Sequence, residues 1–287
     1  MTRSSASSGP PSLVLVTGHE GGESRDLPGL AAVVPARVVV STRRSLHHQV
    51  TSLLDATDGV VAVLPMTWGR DPVLVAESAK SLHWLATTVE PGRLLLCDAF
   101  GTPDHLVAHL RRAVRETSVS RPEAGVVVAA PAGNPFDDAE LHRLAHLVRA
   151  HGAGTQVEVA CTGEGGDAGE ALRRCRLLGL QEVVVVPAGF DRWPGSDAPG
   201  VTSYGPLLSA QAAGRVFAQR LSQARHRAEH GDDGIAEGLS ADHGHGYAHS
   251  HDVGGAPSAP THAHHHPHAH APGHPHPHPP APASAPR

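Results

Sequence analysis

The residues best suited to chemistry in this chain are histidines. Thirteen of them lie near the C-terminal end: His243, His245, His249, His251, His262, His264, His265, His266, His268, His270, His274, His276 and His278. Neutral imidazole is the commonest protein ligand for zinc, nickel, copper and cobalt, and a flexible chain can gather several around one ion. A purification tag would be an uninterrupted run. Here the longest run is His264-His265-His266, and proline, alanine and glycine break up the rest. The pattern predicts binding of divalent transition-metal ions and leaves the ion open. Affinity order alone would favour copper and nickel whatever the biology intends.

A second candidate stands directly after the first apolar run, where the chain reads Gly18-His19-Glu20-Gly21-Gly22. The glycines let a ligand approach the backbone closely. Known short motifs do not account for it. It is not the Gly-x-Gly-x-x-Gly of dinucleotide binding, and it lacks the second histidine of a helical zinc protease site. Lys80, the sole lysine, stands in Glu77-Ser78-Ala79-Lys80-Ser81, so no phosphate-binding Gly-x-x-x-x-Gly-Lys-Ser/Thr loop exists either. The pairs His105/His109, His142/His146 and His226/His230 are spaced to share a helix face, and on amphipathic helices such pairs are ordinarily the wet face. His83, between Leu82 and Trp84, reads as a packed helix residue.

Positioning these residues requires a scaffold. Short β-branched runs occur at Leu13–Thr17, Arg37–Ser41, Val60–Leu64 and Arg93–Cys97, with helical spacing such as Leu46, Val50, Leu53 and Leu54 between most of them. The order then restarts with strands at Val126–Ala130, Val157–Cys161 and Val183–Val186 and helices near 137–150 and 167–178. Alternation of this kind predicts an α/β fold with mostly parallel sheets covered on both faces. Pro65-Met66-Thr67-Trp68-Gly69-Arg70-Asp71-Pro72 and Pro187-Ala188-Gly189-Phe190-Asp191-Arg192-Trp193-Pro194 share Pro, aromatic, Arg and Pro at identical spacing, each after the third strand of its half. Phe100-Gly101 and Tyr204-Gly205 each open a final helix. Two such matches in one order predict a duplication. The organisation is then a loose N-terminus at 1–12, one half at 13–121, a second at 122–228 and a disordered His-rich tail at 229–287.

At these residues the chain resembles the class II chelatases, specifically the sirohydrochlorin cobaltochelatase or ferrochelatase family. The likeness rests on a first strand ending in Gly18-His19, a proline after the third strand, and an aromatic-Gly pair before the last helix, all repeated over about residues 13–225. It implies ATP-independent insertion of Co²⁺ or Fe²⁺ into a sirohydrochlorin-type tetrapyrrole, in cobalamin or siroheme biosynthesis. The family usually reads Gly-His-Gly-Ser where this chain has Gly18-His19-Glu20-Gly21. Its second histidine is replaced in the region of Gly69-Arg70-Asp71, and the second half has Ala130-Pro131-Ala132-Gly133 in place of the first histidine.

Insertion needs a ligand that strips water from the metal, a base for two pyrrole protons and clamps for the macrocycle. The expected roles are His19 as metal ligand or base, Glu20 as its helper, and Arg70 and Arg192 as holders of the substrate's carboxylates. Otherwise the two arginines face solvent, stacked on Trp68 and Trp193. The tail would store metal. The alternative is a non-catalytic metal-delivery protein on a degenerate fold of the same kind. A net charge of −5 without a basic run argues against nucleic acid. The absence of a signal peptide or apolar span points to the cytoplasm and away from membranes. Cys97, Cys161 and Cys175 are too scattered for a ribbon or redox pair and read as buried hydrophobes.

Overall fold

The computed structural model describes residues 9–21, 27, 36–151, 154–163, 165–190, 193 and 198–241. Its contacts separate a unit Met1–Tyr247 from a unit Ala248–Arg287. The described residues belong to the first unit and end at Ala241, so the tail histidines lie outside them.

Among the described residues, eight strands form two four-stranded sheets. The first contains β1 (Ser12–Thr17), β2 (Arg37–Thr42), β3 (Val61–Met66) and β4 (Leu94–Leu96), ordered β2-β1-β3-β4. The second contains β5 (Gly125–Pro131), β6 (Val157–Thr162), β7 (Val183–Pro187) and β8 (Val201–Ser203), ordered β6-β5-β7-β8. All pairings are parallel. The identical orders bear out the α/β class and the duplicated architecture. The sequence reading missed β8, whose three residues Val-Thr-Ser are too few to show a period.

Seven helices complete the described fold: α1 (Leu46–Ala56), α2 (Pro72–Ala86), α3 (Pro103–Ser120), α4 (Pro135–Ala150), α5 (Ala168–Leu177), α6 (Ala210–Glu229) and α7 (Ile235–Leu239). Several starts are fixed by local chemistry. Asp71, Thr102 and Asn134 each precede a proline, and their side chains accept backbone N–H groups of the first turns of α2, α3 and α4. Proline fits there because its missing N–H would have no intrahelical partner.

Alternate residues along each central strand enter different cores, as the pleat requires. Leu13, Leu15, Val126 and Val128 face a shared layer, joined by Leu110 of α3, Leu144 of α4 and Phe217 of α6. Val14 and Val16 face an outer layer with Val50, Leu74 and Leu82, and Val127 and Ala129 face another with Ala171 and Cys175. The two halves also exchange helices. α3, which follows the first sheet, packs on β5 and β7, while α6, which follows the second, packs on β3 and β4. The halves are therefore interlocked.

The folded chain also continues past Glu229, where the tail was expected to begin. The Asp233 carbonyl accepts the Leu96 N–H at 2.8 Å, covering the outer edge of β4. Ile235 is buried with Leu74 and Leu82. Composition hid this segment because its anchors are few: Ile235 and Gly238 are buried, and Leu239 packs beside them. The cysteines are buried and free, as expected. Burial pushes the Cys97 thiol up to about 12 and those of Cys161 and Cys175 to about 11, so all three are neutral thiols at physiological pH. No helix among the described residues is long and apolar enough to cross a membrane.

Candidate metal and acid-base site

In an open parallel sheet, ligands bind beyond the carboxyl ends of the strands where the strand order reverses. In the order β2-β1-β3-β4 that point lies between β1 and β3. His19 follows β1 in a single 3-10 turn, His19–Gly21, and Trp68, Arg70 and Asp71 follow β3. The second half adds the turn from Gly133 into α4, and His19 reaches it directly.

His19 Nδ1 lies 3.1 Å from Asp71 Oδ2 and 3.8 Å from Asp137 Oδ2. Asp71 is fixed as the N-cap of α2, its Oδ1 accepting the Leu74 N–H at 2.9 Å. Asp137 belongs to the first turn of α4, where Asn134 Nδ2 donates to its Oδ2 at 2.7 Å. Helix N-termini stabilise both negative charges. Gly18 explains why the histidine follows a glycine: a Cβ there would lie 1.9 Å from Asp71 Oδ2 and displace the carboxylate from the ring.

With Nδ1–H donated to Asp71, a neutral imidazole presents its lone pair at Nε2. That atom is buried and has no hydrogen-bond partner in the structure. Gly133 lies against that edge of the ring, where a Cβ would stand 3.3 Å from Nε2 and 3.2 Å from Cδ2. A carboxylate-buttressed imidazole with an unpartnered second nitrogen is the ordinary form of a metal-binding histidine, and equally of a base. Among the described residues, no group of three or more His, Cys, Asp or Glu side chains could hold a metal ion. Asp71 and Asp137 both address Nδ1, on the other side of the ring from Nε2.

Burial disfavours a charge on His19, but the hydrogen bond and charge of Asp71, helped by Glu20, outweigh it and raise the pKa above 6.5. Burial also opposes the Asp71 charge, yet His19 holds that carboxyl below its usual range. Asp137 is raised, chiefly by burial. The signs follow from linkage. The raised His19 contributes stability below about pH 6.5, lost as pH rises through its folded value. The lowered Asp71 contributes stability above about pH 3.9, lost as pH falls through its own folded value. Asp71→Asn should therefore bring the His19 pKa down to 6.5 or below, since the burial cost remains and the charge is gone. NMR titration of the metal-free protein measures this, and an unchanged pKa would mean that Asp71 is not the partner.

Glu20 and Arg70 both turn to groups of the protein itself. Glu20 supports the His19 imidazolium through its charge, while its hydrogen bonds go elsewhere. Its fully buried carboxylate accepts from the Thr67 hydroxyl, from Trp68 N at 3.1 Å and from Arg70 N at 3.1 Å, pinning the loop after β3. Arg70, expected to hold substrate carboxylates, keeps one buried nitrogen, Nη1, without a hydrogen-bond partner in the structure. It is 1 % exposed and donates through Nε and Nη2 to the Asp137 carbonyl at 3.4 and 3.2 Å, tying the halves together. Arg192 lies outside the described residues. Trp68 stacks not on an arginine but on Phe190, the equivalent residue of the other half, with ring centroids 5.6 Å apart and planes 4° from parallel. His83 is exposed on α2 rather than packed.

The second half lacks an equivalent site. Pro65 stands opposite Val16 in one sheet and Pro187 opposite Ala129 in the other. Counting forward from those pairs, Ala132 takes the place of His19 and Trp193 that of Asp71. Asp71 and Asp137, missed at first, left only local traces: Asp71-Pro72 and Asn134-Pro135 both read as helix starts. Their meeting at one imidazole is a tertiary fact.

No family model matches the chain, and no curated protein does. Among solved structures, SirB from Bacillus subtilis with Fe³⁺ is similar at 14% identity, covering 78% of this chain and 99% of that one, with a TM-score of 0.49. The sirohydrochlorin chelatase SirB from Bacillus subtilis subspecies spizizenii, in complex with cobalt, is similar at 14% identity over 77% and 98%, with a TM-score of 0.42.

Proposed function

We propose that this chain inserts a divalent metal, Co²⁺ or Fe²⁺, into a sirohydrochlorin-type tetrapyrrole without nucleotide hydrolysis, and that its histidine-rich tail stores metal for the reaction. The observation carrying this reading is the buried, partnerless Nε2 of His19, held by Asp71 in the crevice between the halves. The metal here is cargo. A site that must release it to four pyrrole nitrogens is better served by one firm protein ligand than by a closed cage. Nε2 is also the base that the crevice offers to a departing pyrrole proton, and the charges of Asp71 and Asp137 stabilise the imidazolium that results. Because protons compete for the same nitrogen and the His19 pKa is raised, insertion should rise with pH through a midpoint above 6.5. A rate profile with Co²⁺ tests this, and a flat profile between pH 6 and pH 8 would sink it.

The second reading, a metal-delivery protein without catalysis, is favoured by one feature. The second half carries Ala132 and Trp193 where the first has His19 and Asp71, so only one half keeps the pair.

The tail has its own test. Residues 230–241 are part of the fold, so the cut belongs at residue 243. Removing 243–287 should abolish most multi-site Ni²⁺ or Zn²⁺ binding while leaving thermal stability nearly unchanged. The retained metal should leave the full-length chain as pH falls toward 5, since protons displace metal from imidazoles of pKa about 6.5. Calorimetric titration of both chains measures it, and equal stoichiometry would remove the storage role.

A further inference from the structure

Three histidine pairs have the spacing that puts both rings on one helix face, and the structure tells them apart. His105 Nδ1 is taken by the cap of α3, 3.3 Å from Thr102 N, and the His109 ring lies against Trp68 with centroids 5.6 Å apart. On α4, His146 Nδ1 stands 3.5 Å from the Arg149 guanidinium, a cation that would repel a metal ion. His226 and His230 differ. They occupy the last turn and the C-cap of α6, both exposed, with ring centroids 4.9 Å apart.

That separation is what one shared ion requires. Imidazoles bound at about 2.0–2.1 Å to one ion, at a near-tetrahedral angle, hold their ring centres roughly 5 Å apart. The same four-residue spacing serves the helical zinc site of proteases. The surrounding charges also suit a cation. Glu229 Oε2 lies 3.5 Å from His226 Nδ1, which leaves Nε2 to a metal and sets a carboxylate behind the ring. Arg227, between the two histidines in sequence, is turned away to Asp98 and the Leu96 carbonyl. The end of the helix adds its own negative potential.

We propose that His226 and His230 chelate a divalent transition-metal ion that favours imidazole, such as Ni²⁺, Zn²⁺ or Cu²⁺, with water completing its shell. Among the described residues no group of three or more His, Cys, Asp or Glu could hold a metal ion, so this is a two-ligand site. It is separate from the His19 crevice. His226 lines a groove with Pro11, just ahead of β1, whereas His19 follows the far end of that strand, and six residues of strand span about 20 Å. The site therefore stands whether or not the crevice inserts metal.

Folding creates this pair, so an ion bound to it must stabilise the folded chain. The tail, expected from its composition to lack fixed structure, takes up ions equally before and after unfolding and leaves the midpoint where it is. Thermal unfolding of the full-length protein is followed with and without saturating Ni²⁺ in wild type, His226→Ala, His230→Ala and His19→Ala. Ni²⁺ should raise the wild-type midpoint by roughly 5 °C. The rise should vanish in His226→Ala and in His230→Ala, whose metal-free midpoints stay near wild type because both side chains are exposed. His19→Ala should keep it. No rise in wild type, or a rise that survives either substitution in the pair, overturns the proposal. A rise lost in His19→Ala instead would put the stabilising ion in the crevice and overturn it too.

Discussion

His19→Ala is expected to lower Co²⁺ or Fe²⁺ insertion by about a hundredfold or more, the range for losing a positioned base. The expectation follows from how much of the crevice is arranged around one ring. Gly18 clears the space for Asp71, Asp71 holds Nδ1, Asp137 approaches from the other half, and Gly133 leaves room at Nε2. The fold should survive, because His19 occupies a turn at a sheet end and belongs to none of the hydrophobic clusters. Its loss removes the hydrogen bond to Asp71, but that carboxylate keeps its capping bond from Leu74. The tail cannot substitute. Its imidazoles raise the local metal concentration but do not fix an ion against a macrocycle. Insertion rates for wild type and His19→Ala, each with and without residues 243–287, separate the two contributions. Equal rates in wild type and His19→Ala would show that the ring is structural.

Glu20→Ala should have the larger effect on stability, costing about 3–5 kcal/mol. The carboxylate is wholly buried and receives three donors, the Thr67 hydroxyl and the N–H groups of Trp68 and Arg70. Removing it leaves those donors unsatisfied, and each buried group so stranded costs about 1–3 kcal/mol. It also takes a negative charge from the neighbourhood of the buried Arg70 guanidinium. For a fold of this size the midpoint should fall by roughly 10 °C. Glu20→Gln should cost less, since its amide oxygen still accepts. Urea unfolding of the variants measures the difference, and a loss below about 1 kcal/mol for Glu20→Ala would contradict the pinning role.

The fold was legible because its signals are local and repeated. Leu13–Val16 and Val126–Ala130 read as buried parallel strands, and the duplicated Pro-aromatic-Arg-Pro segment announced two halves before any strand was paired. The exchange of α3 and α6 between the halves was not legible, since nothing in an amphipathic helix says which sheet it covers. At the site, Gly18-His19 could be found from its glycine and its place after a strand. Its partners could not: Asp71 lies more than fifty residues away and looks like an ordinary helix cap, and Asp137 belongs to the other half. Adjacency to His19 did not disclose where the hydrogen bonds of Glu20 go. Consecutive residues in a tight turn point apart, and Glu20 turned inward to the loop after β3. The repeat did not disclose the bond of Arg70 to the Asp137 carbonyl: its shared spacing reflects the loop's architecture and, at Trp68 and Phe190, the contact between the halves.

The central claim is catalysed insertion at His19, and one measurement meets it directly. Purified full-length protein is mixed anaerobically with sirohydrochlorin and Co²⁺ near pH 8, and the conversion of the metal-free absorption spectrum to that of the cobalt complex is timed against the same mixture without protein. The account predicts conversion well above the uncatalysed rate, cut about a hundredfold in His19→Ala and persisting at saturating Co²⁺ after removal of residues 243–287. Conversion no faster than the protein-free mixture, repeated with Fe²⁺, would contradict it and leave a metal-delivery protein in its place.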